Sequence, residues 1–315
     1  MIKKIMYSGF TITLFLFLLC YPISAVNAAK QGLQLWFYTV LPTLLPFIIL
    51  STIIRKMQLV RLITVLFSPI TKRLLHISDN STYVMLIGFL CGYPMGAKMT
   101  GDFVRDGELS VEEGQYMLLF TNNVSPIFVI SFLAKDSLHC SELLPFLLGV
   151  IYGVPLLTAF VLNPFYRCKC KSINLSHKGK LKEKASFSWN VIDESIENGL
   201  VTITKLGGYM ILFAIITCML SLLPVSGWCK LVINSLCEIT WGIGSVSAAE
   251  ITLSQKLLLL LPAVCFGGIS CIAQTNSMIQ GTQLSIRKYI LAKAMQYVLA
   301  AGIVILHFTL LYHFH

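Results

Sequence analysis

Apolar positions in this chain come in runs of about 18 or more residues, the length that crosses a bilayer as helix. Residues 10–19 and 257–266 do not sustain the apolar-polar alternation that barrel strands need. The pattern therefore predicts an all-α polytopic membrane protein. Its first run ends at Cys20 and is followed by Val26-Asn27-Ala28, which resembles a signal peptide with a small-residue cleavage site. Residues 1–28 are read instead as an uncleaved first span. Residues 32–54 are long enough to cross but carry Pro42 and Pro46, each removing a backbone donor and predicting a break or kink. Arg61, Lys72 and Arg73 among apolar neighbours make residues 57–77 an amphipathic helix lying along the interface.

Residues 83–99 are too short and too often interrupted to cross, with Gly88, Gly92, Pro94, Gly96 and the charged Lys98. A re-entrant hairpin over about 78–105 fits them. Ser110 and Glu113 have capping-box spacing and predict the start of a helix that runs toward Ala134 and is interrupted between Thr121 and Pro126. Residues 143–165 form a cleaner span.

Charge fixes an orientation. Seven basic residues against Glu183 lie between Arg167 and Lys184, so the loop 166–194 is read as cytoplasmic, together with Arg55 and Lys56. An even number of crossings must separate the two, yet three apolar segments intervene; the hairpin is the one that fails to cross. Weak internal similarity pairs Gly32-Leu33 with Gly199-Leu200, and Leu109-Ser110-Val111 with Leu284-Ser285-Ile286. The halves, 29–165 and 195–315, are then inverted repeats with broken helices, the second hairpin lying at about 256–281. Such repeats point to a secondary transporter with a site near the midplane. This arrangement puts Arg287, Lys288 and Lys293 outside, against the charge rule.

Composition agrees: 56% of the 315 residues are hydrophobic and 12% charged, with mean hydropathy +0.77, unlike a soluble domain. A net charge of +10 is then a matter of loops and not of nucleic acid, since no basic-aromatic interleaving occurs. Ten cysteines in a chain this long do not make a disulfide scaffold, and Cys168-Lys169-Cys170 lacks the second pair that zinc needs. No HExxH, Walker A or GxSxG pattern is present, so no enzyme, cofactor or metal is expected.

Three places can carry chemistry. At the hairpin tip, Gly92, Tyr93, Pro94 and Gly96 free backbone donors at a helix start, and Lys98 adds a full charge; together these favour an anion. An ammonium facing a bound carboxylate would be worth on the order of 2 to 3 kcal/mol at an effective dielectric of about 20. At the interruption, Thr121, Asn122, Asn123 and Ser125 can bind a polar solute or satisfy carbonyls freed by Pro126. Their counterparts in the second half are Gly267, Gly268, Ser270, Gln274 and Asn276. Glu238, alone in an apolar stretch, is the ion-coupling candidate.

The blocks Gly88 to Lys98, Leu109-Ser110-Val111-Glu112-Glu113 and Phe120-Thr121-Asn122-Asn123-Val124-Ser125-Pro126 resemble the sporulation integral membrane protein YlbJ family. Val40-Leu41-Pro42-Thr43-Leu44-Leu45-Pro46-Phe47 and Glu238-Ile239-Thr240-Trp241-Gly242 look like further family blocks, so the resemblance covers about residues 29 to 305. That family is grouped with nucleoside-recognition Gate domains and is similar to concentrative nucleoside transporters, which carry two re-entrant hairpins in inverted repeats. The resemblance implies a multi-pass protein of the cell membrane, in a spore-forming bacterium the outer forespore membrane, that moves dipicolinate. Its partners would be the lipid bilayer, a small anionic substrate, a coupling ion (H+ or Na+) and, compatibly, a second copy in a homo-oligomer. Tyr93-Pro94-Met95 stands where the nucleoside transporters have a carboxylate, which suits an anionic cargo. The chain also looks short at its carboxyl end. A nucleoside or metal-ion transporter and a non-transporting scaffold for spore-envelope assembly are the alternatives.

Overall fold

The computed structural model describes residues 2–167 and 188–314. Every regular element among them is helical, and five segments are long and apolar enough to cross a bilayer: Pro22–Lys56, Ser141–Tyr166, Trp189–Ser221, Leu253–Met278 and Ile286–Leu310. Large apolar side chains such as Phe15, Leu19, Leu291, Val298 and Leu306 face outward, the surface a bilayer covers. This is an all-α polytopic membrane protein. Most of the basic loop, with Cys168 and Cys170, lies outside the described residues.

Helix α1 (Ile2–Cys20) precedes a long segment made of α2 (Pro22–Leu35), a π-helical turn (Trp36–Val40) and α3 (Leu41–Lys56). Pro42 and Pro46 do not split this segment. The wide turn lies directly before Pro42, where a tighter helix would press the ring against the carbonyl four residues back. The amphipathic stretch is divided at Pro69 into α4 (Val60–Thr64) and α5 (Ser68–Leu74).

Next comes a fold-back pair, α6 (Asp79–Cys91) and α7 (Met95–Arg105). Gly92 turns it with φ +85°, and a Cβ there would stand 2.6 Å from the Ser125 nitrogen. Ser110 caps α8 (Val111–Phe120) by accepting from the Glu113 nitrogen at 3.1 Å. Glu113 does not close the expected capping box; its carboxylate accepts from the Ser78 nitrogen (2.7 Å) and the Ser81 hydroxyl (2.5 Å). It thereby ties the start of α6 to that of α8. Helix α8 stops before Thr121, and the chain resumes as π-helix over Phe128–Ser137, followed by α9 (Leu144–Arg167).

A long helix α10 (Trp189–Ser221) leads to a second fold-back pair, α11 (Gly227–Cys237) and α12 (Ile239–Ser247). Asn234 donates to Ser245 at 3.2 Å across it, and Gly242 packs on the Ser235 backbone. Then α13 (Leu253–Phe266) and α14 (Gly268–Met278) run on through Gly267 as one apolar segment, before α15 (Ile286–Phe314). The fold-back expected over 256–281 thus lies at Gly227–Ser247. Gly267 and Gly268, left-handed with φ +92° and +72°, leave the helical path, which interrupts the segment without folding it back. Glu238 is extended (φ −146°, ψ 125°), and its side chain starts the new helix by itself.

Moving that pair also moves charges. Arg105 donates to the carbonyls of Met278 and Gln280, both at 2.9 Å, and the Ser285 nitrogen donates to Gln115 at 2.6 Å. Arg55 pairs with Asp106, and Lys56 with Glu194 at the start of α10. Arg287 and Lys288 therefore belong to the same end of the molecule as Arg55 and Lys56. The expected violation of the charge rule is removed, because 253–278 runs the full length between the two ends.

Candidate solute cavity

Both fold-back tips and both helix interruptions converge inside the protein. Between them lies a cavity of about 370 Å³, reached by Gly92 and Tyr93 from the first tip, Val124 and Ser125 from the first interruption, and Glu238 and Thr240 from the second tip. Cys271 and Gln274 of α14 and Thr39 and Thr43 of the long first segment complete its polar wall. A second cavity of about 440 Å³ adjoins it, lined by Gln31, Gly32, Trp241 and Ser245 and sharing Glu238 and Thr240. Glu238 stands at the junction. Its carboxylate accepts from the Trp241 nitrogen at 2.8 Å and from the Thr240 hydroxyl, capping α12.

The charged residues on the wall of the inner cavity are Glu238 and Asp136; no lysine or arginine reaches it among the described residues. Positive potential comes from backbone. Helices α7, α12 and α14 all begin at the tips and interruptions around the cavity, each with the partial positive charge of a helix start, which at α12 is answered by the Glu238 cap.

Of the residues singled out in the sequence, Gly92, Tyr93, Ser125, Gln274 and Glu238 line the cavity. The asparagines do not; they fasten the elements around it. Asn122 accepts from the Ala97 nitrogen at 3.3 Å and donates to Thr275 (2.8 Å) and Tyr289 (3.1 Å), joining the interruption to α7, α14 and α15. Asn123 donates at 2.7 Å to the Phe120 carbonyl, freed where α8 ends. Thr121 bonds back to the Met117 carbonyl. Gly88 and Gly96 let the fold-back pair press on the Thr121 carbonyl. Tyr93 and Pro94 are joined by a cis peptide bond, and the Tyr93 hydroxyl occupies the place a Cβ on Gly267 would need. Gly268 packs on the carbonyls of Leu236 and Cys237, Ser270 accepts from Gln274 at 3.1 Å, and Asn276 is exposed.

Lys98 is away from the cavity. Its ammonium donates to Asp102 and to Asn198 of α10, both at 2.9 Å, and Asp102 also pairs with Arg105. A charge answered this closely within the fold is not on offer to a cargo.

Lys293 of α15 escaped the sequence reading. It is fully buried, and its ammonium donates to Asn123 Oδ1 at 3.1 Å and to the Cys265 carbonyl at 3.2 Å. It also lies 5.1 Å from the ring centre of Tyr93 and 5.8 Å from that of Tyr289. A signal was available. Tyr289, Lys293 and Gln296 fall at i, i+4 and i+7, a polar stripe along an otherwise apolar helix, and all three are buried.

The chain is 23% identical over 344 aligned residues to sporulation integral membrane protein YlbJ of Bacillus subtilis (strain 168), covering 99% of this chain and 84% of that protein. No family model and no solved structure matches it.

Proposed function

We propose that the chain, which is similar to the sporulation integral membrane protein YlbJ and has five segments able to cross a bilayer, is a secondary transporter of dipicolinate across the outer forespore membrane. The observation that carries this reading is the cavity held between two fold-back tips and two interrupted helices, the arrangement expected of a carrier built from repeats. The halves run in opposite directions: Pro22–Lys56 ends at the Arg55 end, whereas α10 starts there beside Lys56. We read them as inverted repeats, each with one re-entrant fold-back pair, 79–105 and 227–247.

Wall chemistry refines the cargo's state. With Glu238 and Asp136 present and no side-chain cation, a free dianion would be repelled. Dipicolinate therefore enters in a protonated form, and its carboxylates face the starts of α7 and α14. Lys98 takes no part.

The test is spore dipicolinate in a deletion strain complemented with the parent, Ser131→Ala or Ser131→Phe, alongside dipicolinate uptake into vesicles carrying the purified protein. Ser131 lines the cavity. The deletion strain should lose dipicolinate, the parent and Ser131→Ala should restore it, and the cavity-filling Ser131→Phe should not. Normal dipicolinate in the deletion strain, or vesicles that move uridine or a divalent cation but not dipicolinate, would overturn the proposal.

A further inference from the structure

Beneath the floor of the cavity, Lys293 joins the two halves at the points where their helices are interrupted. Asn123 belongs to the interruption after α8, and the Cys265 carbonyl to the end of α13, just before Gly267. A side-chain amide oxygen and a carbonyl oxygen at a helix end are the donors that a small monovalent cation receives in broken-helix carriers. Here an ammonium from the protein occupies that position. Tyr93, which walls the cavity, stands over both the ammonium and Gly267.

No carboxylate among the described residues pairs with Lys293. The titratable groups around it are Tyr93 from the first tip, Tyr289 on its own helix, Cys265 of α13 and Cys271 of α14. Its positive charge is thus met by two neutral oxygens and two ring faces, in an interior where an unanswered charge is costly. Any movement that parts the two interruptions changes the affinity of Nζ for its proton, and by linkage the proton biases the movement.

We propose that Lys293 is the proton-binding coupling group of this carrier, a built-in cation whose protonated form ties the two helix interruptions together and whose deprotonation releases them. The proposal deepens the transport reading and rests on it. In the protonated state Nζ holds Asn123 and Cys265, and Tyr93 stays packed on Gly267. The proton then leaves to water on the side to which the carrier opens, Nζ becomes a neutral amine, and the first tip is free to separate from α14. Coupling through this group needs H+ and no sodium.

The experiment is hydrogen exchange by mass spectrometry on the full-length detergent-purified protein, following peptides over residues 119–129 and 263–272. It spans about pH 6 to about pH 10, between the ordinary histidine and lysine values, with rates corrected for intrinsic exchange. In the parent, corrected exchange at both interruptions should rise together with pH, by up to about tenfold per unit, the limit for release of one proton. Lys293→Arg, whose guanidinium keeps its charge, should remain protected throughout. Lys293→Met should exchange faster at all pH values and lose the pH dependence. A flat parent profile would overturn the proposal, as would a Lys293→Arg profile matching the parent, which would assign the titration to Tyr93, Tyr289, Cys265 or Cys271. If Lys293→Met does not fold, the arginine variant decides alone. The readout needs no solute, so a failure of dipicolinate uptake would sink the cargo assignment and leave the coupling group standing.

Discussion

Lys98 and Lys293 are both buried and both stand beside a break in the helices, but their surroundings differ in one respect. Lys98 has Asp102 at 2.9 Å and Asn198 at 2.9 Å; Lys293 has two neutral oxygens and the faces of Tyr93 and Tyr289. Burial is therefore a poor guide to function, and the identity of the partner is a better one. A lysine beside an acid on its own helix stabilises the element that carries it. A lysine whose partners come from two other segments holds those segments in register only while it keeps its proton.

The comparison is broken most directly at Asp102, whose carboxylate answers both Lys98 and Arg105. Asp102→Asn leaves two cations facing one another with no acid, and should cost about 3 to 5 kcal/mol, the range for removing one partner of a buried pair. Lys98→Met leaves Asp102 paired with Arg105, so it should cost far less and leave uptake at sub-saturating dipicolinate unchanged. Thermal unfolding of the detergent-purified proteins gives the ranking. Equal destabilisation by the two variants would mean that Asp102 does not hold this cluster.

Much of this was legible in the sequence, and the failures have physical causes. Glycines and Pro94 marked a turn in an apolar run, and the pair α6 and α7 turns there. Asn122 and Asn123 marked the end of α8. Their partners Thr275, Tyr289 and Lys293 lie more than 150 residues away, so their fastening role was not visible locally. In the second half, Gly267-Gly268 drew attention that belonged to Glu238. A glycine pair signals backbone freedom, but a short chain reversal can also be started by one carboxylate that caps the next helix, as Glu238 does for α12. Lys293 was counted as loop charge with Arg287 and Lys288, because the misplaced hairpin turned the start of α15 toward the wrong side.

A smaller effect is expected from Lys293→Met. The substitution removes an ammonium that no acid answers, which is favourable, and leaves the Asn123 oxygen without its donor, which costs about 1 to 3 kcal/mol. The two changes oppose, so the unfolding free energy should move by only about 1 kcal/mol in either direction while the pH response of the interruptions disappears. A loss as large as that of Asp102→Asn would show that Lys293 is a structural tie of the same kind as Lys98, and the contrast between them would collapse.

The smallest effect belongs to a lysine in water. Lys72 pairs with Asp79 at 2.6 Å, the two side chains being 51% and 34% exposed. Burial raises the Asp79 carboxyl, but hydrogen bonds from Lys72 and Ser68 and the Lys72 charge outweigh it and hold the group below its ordinary value. A carboxyl lowered by folding contributes stability above its unfolded value of about 3.9 and loses it as pH falls through the folded value. With this much solvent the contribution should stay under about 1 kcal/mol. Asp79→Asn should therefore lower the unfolding temperature slightly at neutral pH, and the difference from the parent should shrink both in strong acid and in about 1 M salt, where the screening length is about 3 Å. The Asp102→Asn difference should survive the same salt, because Lys98 and Asp102 are both buried. If salt erased both differences alike, burial would not separate the two pairs, and the ranking of the three lysines by their partners would have to be abandoned.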